Sequence, residues 1–167
     1  MAITKAKKQE ILASMKKRLA SAKSIVFVNF KGLTVAETKI LRRQLSGEKV
    51  GYFVAKKTLA KRTLNDLKVT GEMPEMPGEL AIAYSDDLIA PARETYAFQK
   101  ASRDKGSIAI VGGIFEGVYK NQAEMMEIAT IPSLHVLQGK FVNLINSPIQ
   151  RLVIAMEEIR KTRTIAE

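Results

Sequence analysis

The chain has 167 residues, of which 46% are hydrophobic, which is enough for one domain with a sizeable core and an appendage. It carries a net charge of +10 and has no cysteine, which excludes disulfides and thiolate metal sites. The N-terminus lacks the apolar segment of a signal peptide, and no apolar run is long enough for a membrane-spanning helix. We therefore expect a soluble, intracellular protein.

The positive charge is concentrated in the first part of the chain. Residues 1–62 hold 16 Lys and Arg against 3 Asp and Glu, a balance of +13, whereas residues 63–167 have a balance of −3. This asymmetry predicts a polyanion-binding face on the basic part of the chain and a different function for the nearly neutral part. RNA or DNA is the favoured partner, and the alternative is a solvated, lysine-rich surface.

The first 30 residues predict a helix followed by a buried strand. Thr4 is a suitable N-cap for a helix that runs to about Ala22. An unbroken run of β-branched and aromatic residues then occupies positions 25–28, which is typical of a strand buried on both faces and predicts a strand over residues 25–30. The apolar face of the helix consists of Ile11, Leu12, Met15 and Leu19.

Two more helices and a second strand follow. Thr34 precedes Glu37 by three residues, the spacing of a capping box, and opens a helix that Gly47 is placed to end. Residues 50–55 have high β propensity and predict the second strand. Thr58 is then placed to cap a third helix.

Each of the first two predicted strands ends in lysine directly before a helix. Lys31 and Gly32 follow the first strand, and Lys56 and Lys57 follow the second. Helix N-terminal amides and flanking lysines together favour phosphate oxygens. The recurrence predicts a phosphate-binding face.

The middle of the chain continues the alternation of strands and helices. Residues 69–78 contain two Gly and two Pro and predict a connecting loop. Such an alternation indicates an α/β fold, here a small mixed sheet of about four strands packed with helices. The remaining strands are predicted at residues 80–84 and 108–111, and helices are predicted from Asp86-Asp87 to about Ser102 and from Asn121 to about Thr130.

After the Ile131-Pro132 step the composition changes, which predicts a domain of residues 1–131 and a tail of residues 132–167. Apolar residues in the tail recur at three- and four-residue spacing, as on one side of a helix, and Pro148 predicts a kink or a restart with Ser147 as N-cap. A stripe with no following element to cover it predicts a docking surface, unless it folds back onto the domain. The stripe consists of Leu134, Leu137, Phe141, Leu144, Ile145, Ile149, Leu152, Val153, Met156 and Ile159.

The sequence offers no credible active site and no cofactor motif. His135 is the only histidine, so a metal site or a catalytic triad is not expected. The adjacent Asp86 and Asp87 are typical of groups that cap a helix. Gly112 and Gly113 fit no phosphate-binding glycine motif and indicate a tight turn or a bulge at a strand end. We expect a protein that is not an enzyme.

Four short motifs occur in order along the chain. They are F-K-G-L-T at residues 30–34, the lysine-Thr-Leu stretch at 56–59, A-I-A-Y-S at 81–85 with A-P-A at 90–92, and G-G-I-F-E-G at 112–117. Together they closely resemble the bacterial large-subunit ribosomal protein ten family, the stalk-base proteins, over essentially the whole chain. Lys57 is a departure, since the family usually has Asn there.

The resemblance implies a structural ribosomal protein that is cytoplasmic and ribosome-associated. Its N-terminal domain would bind large-subunit rRNA beside ribosomal protein eleven, and its C-terminal helix would carry dimers of the acidic stalk protein seven/twelve, which recruits translation GTPases. Many members also repress translation of their own mRNA. Carried over to this sequence, the RNA-binding residues are Lys5, Lys7, Lys8, Lys31, Gly32, Thr34, Lys56, Lys57, Thr58 and Arg62.

Two further expectations concern the tail. Pro148 divides its stripe into residues 134–145 and 149–159, each spanning about three helical turns, which predicts two docked dimers. The alternative function is that of a peripheral membrane protein, because a basic amphipathic helix also suits a membrane surface. The stripe lacks Trp and its polar face is rich in Asn and Gln, which favours a protein partner.

Overall fold

The computed structural model of the protein describes residues 5–66, 69–101 and 107–165. It separates into two compact units, Met1–Ile131 and Pro132–Glu167. The predicted N-cap Thr4 and the predicted helix end at Ser102 lie outside the described residues. Within these, the elements of the first unit are α1 (Lys5–Ala20), β1 (Ser24–Lys31), α2 (Val35–Gly47), β2 (Gly51–Val54), α3 (Lys57–Asp66), β3 (Leu80–Ser85), α4 (Ala90–Ala101), β4 (Ser107–Phe115), β5 (Val118–Asn121) and α5 (Gln122–Ala129).

The strands form one sheet in the order β2-β3-β1-β4-β5, and every neighbouring pair is antiparallel. The α/β class is confirmed, but the sheet has five strands and is antiparallel, where about four strands in a mixed sheet were expected. The prediction missed β5 because it follows β4 through a two-residue turn at Glu116 and Gly117. Both residues have positive φ, 51° and 78°, as a tight hairpin turn requires. A Glu-Gly pair is a weaker sequence signal for such a turn than an Asn-Gly pair.

The apolar run that predicted a doubly buried strand forms β1, the middle strand of the sheet. Val26 and Val28 face a core that includes residues of α2, α4 and α5. Ile25 and Phe27 point to the opposite face and pack with residues of α1 and α3. The protein therefore has a helix–sheet–helix layering, and β1 is covered on both sides as predicted.

The two adjacent glycines lie inside β4, which runs four residues beyond its predicted end. The register between β1 and β4 shifts between Phe27 and Val28, which marks the expected bulge. A Cβ atom at Gly113 would lie 2.5 Å from the backbone oxygen of Ile25 and 2.9 Å from Cε of Met125. Glycine is needed here because the neighbouring strand and α5 approach the backbone closely.

Two of the predicted helix starts, at Thr34 and at Asn121, are confirmed. The amide of Glu37 donates to Oγ1 of Thr34 at 3.3 Å, and the amide of Thr34 donates to Oε2 of Glu37 at 3.0 Å, which completes the capping box of α2. Asn121 is the N-cap of α5, and its amide donates to Oε2 of Glu124 at 3.0 Å. This hydrogen bond, together with Lys120, lowers the pKa of the exposed Glu124 carboxyl.

Two further boundary predictions, at Gly47 and at Thr58, are each wrong by two residues. Gly47 belongs to α2, and Lys49 takes the left-handed conformation with φ 56° instead. The amides of Lys49 and Val50 donate to the carbonyl oxygens of Ser46 and Leu45, so the helix ends in a Schellman motif. At α3, the carbonyl oxygen of residue 56 accepts the first helical hydrogen bond, from Ala60 at 3.0 Å, so the N-cap position precedes the predicted one.

The second unit contains one helix, α6 (Leu134–Ile165), which spans 32 residues and continues through Pro148. The predicted restart with Ser147 as N-cap is therefore wrong. At about 1.5 Å per residue α6 is roughly 48 Å long. Pro148 has no amide hydrogen, so the carbonyl of Leu144 lacks its usual helical partner.

Candidate nucleic-acid interface

The two lysine-bearing turns lie at the same end of the sheet. β1 and β2 both pair with β3 in antiparallel fashion, so they run in the same direction and finish at the same end of the sheet. The register places Asn29 opposite Leu80, and Val54 opposite Ala81. With β3 between them, the ends of β1 and β2 are separated by two strand spacings, about 10 Å.

The N-terminal lysines reach the same end because α1 and α3 run in the same direction. Ile11 of α1 lies with Leu59 of α3 on one groove, and further along both helices Nζ of Lys16 lies 3.2 Å from Oδ2 of Asp66. The start of α1 is therefore next to the start of α3. We name the resulting surface the basic end, which consists of Lys7, Lys8, Lys31, Lys56 and Lys57.

The cations of the basic end are available to a ligand. Within the described part of the chain none of them forms an ion pair, and all are exposed except the half-buried Lys57. Binding a phosphate would therefore break no intramolecular pair, which favours neutralisation of a polyanion. The side chain of Lys5, the remaining predicted lysine, lies outside the described residues.

The first turn owes its shape to Gly32 and Thr34. Gly32 is exposed, has φ +78°, and has open space where a Cβ would stand. Oγ1 of Thr34 donates to Oε2 of Glu37 at 2.8 Å and also accepts the amide of that residue. The hydroxyl of Thr34 is thus occupied within the chain, so this residue shapes the turn more than it offers a free contact.

The remaining predicted residues, Thr58 and Arg62, lie one helical turn apart on α3, and both are exposed. Arg62 borders a groove of about 340 Å³ between α1 and α3. The groove is also lined by Leu12, Ala13, Lys16, Thr63 and Asp66. The ion pair of Lys16 and Asp66 closes one side, and more than half of each side chain is exposed, so the pair contributes little stability.

The structure adds cations to this surface that the sequence analysis had not selected. Lys16 lies beside Arg62, and Arg18 lies with Lys56 on a second groove of about 300 Å³. These pairs join residues from different helices and strands, separated by about forty residues in the chain. No local spacing rule could have found them, because they are created by the packing of α1 across α3 and β2.

A cation also contacts the aromatic side chain of β2 on the other face of the sheet. The guanidinium of Arg42 lies 5.9 Å from the ring centre of Tyr52, a cation–π contact. Burial raises the pKa of the Tyr52 hydroxyl, and the nearby positive charge of Arg42 partly opposes this. The side chain of Tyr52 is thus partly buried against the core and in contact with Arg42.

The predicted docking stripe on α6 is exposed along its whole length. The exposed fraction of its ten side chains ranges from 47% at Val153 to 71% at Leu144. Pro148 lies four residues after Leu144 and four before Leu152, so it falls within the stripe and does not interrupt it. The apolar surface therefore continues past the proline.

The described residues contain no arrangement of three His, Cys, Asp or Glu that could hold a metal ion. Across the same ranges, no helix is long and apolar enough to cross a membrane.

Comparisons with known proteins agree on one family. The family model described as ribosomal protein L10 matches residues 3–100. The chain is also 31% identical, over 157 residues, to the large ribosomal subunit protein uL10 of Shouchella clausii (strain KSM-K16). That alignment covers 93% of each chain, so it includes most of the first unit and most of α6.

Proposed function

The chain belongs to the ribosomal protein L10 family, and we propose that it forms the base of the stalk on the large ribosomal subunit. As a member of this family it is a structural, ribosome-associated protein and not an enzyme. In our proposal the first unit binds large-subunit rRNA, and α6 anchors dimers of the acidic stalk protein seven/twelve. The anchored dimers would then recruit translation factors.

The observation that carries the RNA-binding role is the convergence of charge at the basic end. The two turns and the start of α1 bring their lysines to the same end of the sheet, although these lysines are distant in sequence. Structured RNA is recognised mainly through its shape, phosphates and 2′-hydroxyls, which short cationic turns suit. We extend the proposal to ribosomal protein eleven as a neighbour on the same rRNA and to repression of the protein's own mRNA through the same surface.

The support for stalk-dimer anchoring is the exposed stripe of α6 and its charge. An amphipathic helix with an uncovered apolar face is suited to docking against other helices. Within Leu134–Ile165 the sequence has five Lys and Arg against two Glu, a net charge of +3. This charge favours an acidic partner. Membership of a ribosomal family makes a membrane surface the weaker alternative, and flotation of liposomes with the full chain would detect it.

The rRNA-binding role is tested by removing three cations from the proposed surface. We expect Lys31→Ala, Lys56→Ala and Arg62→Ala together to weaken binding to a large-subunit rRNA transcript, because three phosphate contacts are lost. The slope of log affinity against log salt concentration should become shallower by about two units. Filter binding or fluorescence anisotropy across a salt series measures both quantities.

The matched control removes the same charge from the tail, with Lys140→Ala, Arg151→Ala and Lys161→Ala. This variant should retain the wild-type salt slope, since these residues lie outside the first unit. If the first triple variant instead binds like the wild type at every salt concentration, the basic end and the nearby Arg62 are not the RNA surface.

A further inference from the structure

A groove between α1 and the edge strand β2 combines an apolar floor with a cationic rim. Its volume is about 300 Å³, near the lower end for ligand pockets. Resting on the proposed function, we propose that this α1–β2 groove receives one unstacked nucleotide of the bound RNA. The residues that line it include Ser14, Met15, Arg18, Phe53, Val54 and Lys56.

The floor of the groove is apolar and packs against the core. Met15 is almost fully buried, and the partly buried Phe53 packs against the same core. The ring of Phe53 meets that of Tyr84 in an edge contact, with 5.6 Å between the ring centres, and Tyr84 in turn occupies the space beside Gly51. The Phe53 ring therefore packs against Tyr84 and the core on one side, and a nucleobase can lie against its remaining surface.

The rim of the groove carries two cations with no competing partner. Arg18 and Lys56 are both exposed, and in the described ranges neither forms an ion pair. Lys56 is also part of the basic end, so the groove opens onto the surface proposed to hold the RNA backbone. Cations beside an apolar floor suit the phosphates that flank an inserted base.

The edge of β2 adds hydrogen-bonding groups. The amide of Ala55 donates to the carbonyl of Leu80 at 3.0 Å, so by alternation the amide and carbonyl of Val54 point away from the sheet. Phe53 belongs to the core on the α1 side, so the side chain of Val54 points to the opposite face. Val54 therefore offers the groove its backbone donor and acceptor, which match the polar edge of a base.

A nucleotide fits this site better than an added peptide strand. β2 has only four residues, and it presents the outward backbone groups of Tyr52 and Val54 alone. Lys49 and Lys56 flank the strand, and a short edge strand with flanking lysines resists pairing with another strand. A peptide without acidic side chains would also leave the two rim cations without an anion.

The test fills the groove without changing charge, using the full-length protein and a large-subunit rRNA transcript. Ser14 is exposed and lines the groove, so Ser14→Trp should occupy it while the core stays intact. We expect affinity to fall by about tenfold at every salt concentration, the size expected for one lost stacked base. The salt slope should not change, since no cation is removed. Ala20→Trp, at the exposed end of α1, is the control and should bind like the wild type.

A second measurement uses the unaltered protein. Ultraviolet crosslinking to the same transcript, followed by trypsin digestion, should attach a nucleotide to the peptide of residues 50–56. The inference is overturned if Ser14→Trp binds RNA like the wild type, or if adducts occur only on other peptides, while RNA binding itself would still stand. Loss of a protein partner by Ser14→Trp with unchanged RNA affinity would assign the groove to a peptide. A wild-type chain that fails to bind rRNA would refute the proposed function first.

Discussion

At the scale of single residues, two threonines that follow lysine-bearing strands have different roles. Thr34 has an extended backbone, with φ −70° and ψ 159°, and its Oγ1 accepts a hydrogen bond from the amide of Glu37. Thr58 lies inside α3, because the helix starts one residue earlier, at Lys57. The sequence suggested an N-cap at both positions. The structure distinguishes them, because the Thr34 side chain accepts a helical amide, whereas at α3 the carbonyl of Lys56 accepts the first helical hydrogen bond.

This difference predicts unequal costs for the same substitution. Thr34→Ala should lower the free energy of unfolding by about 1 kcal/mol, because the first turn of α2 loses its cap. Thr58→Ala should change it by less than about 0.5 kcal/mol, since an exposed helical Thr gains helix propensity as Ala. Urea unfolding followed by circular dichroism compares the two. Equal losses would show that the capping box does not stabilise α2.

At the scale of secondary-structure elements, the sequence predicts what depends on local periodicity. β1 follows from an apolar run, and α6 follows from apolar residues repeating every three or four positions. β5 escapes because its turn is formed by Glu116 and Gly117, a pair with a weak turn signal. The sequence did predict that Lys31 and Lys56 share a phosphate-binding face, but it did not predict how the fold brings them together, since that depends on strand order, which no spacing in the chain encodes.

Pro148 shows why a local rule overestimates a break in α6. The rule is correct that proline removes one hydrogen bond, the one to the carbonyl of Leu144. The helical apolar pattern nevertheless continues on both sides, and the helix remains one element. The stripe is therefore continuous in helical position, but near Pro148 the backbone carbonyl of Leu144 has no helical partner. We take this polar carbonyl as the boundary between the two apolar segments of the stripe.

We predict from this boundary that each chain holds two stalk dimers, one on each side of Pro148, in a pentamer. Leu152→Asp with Met156→Asp would bury unpaired charge in the second segment and should reduce the complex to one dimer. Native mass spectrometry of the co-expressed complex counts the chains. Asn143→Asp with Gln150→Asp, on the polar side of α6, is the control and should retain both dimers. A wild-type complex with one or three dimers, or an unchanged Leu152/Met156 variant, would contradict the assignment.

At the scale of the whole molecule, charge and packing divide the chain in different places. The excess positive charge ends near residue 62, whereas the two described core clusters extend from Met15 to Ala129. The domain that presents the basic end therefore needs the nearly neutral middle of the chain for its stability. We propose that the functional division follows the packing, with RNA binding in residues 1–131 and partner docking in residues 132–167.

This division predicts that a fragment ending at Ser133 keeps one function and loses the other. No residue of either core cluster lies beyond Ala129, so removing α6 should leave a cooperative thermal transition and wild-type affinity for the rRNA transcript. The fragment should fail to capture acidic stalk dimers, because the entire exposed stripe is missing. Calorimetry, RNA binding and a pull-down with purified dimers, each run beside the full-length chain, test the three statements. An unfolded fragment would show that α6 supports the domain, and a fragment that still captures dimers would place the docking surface elsewhere.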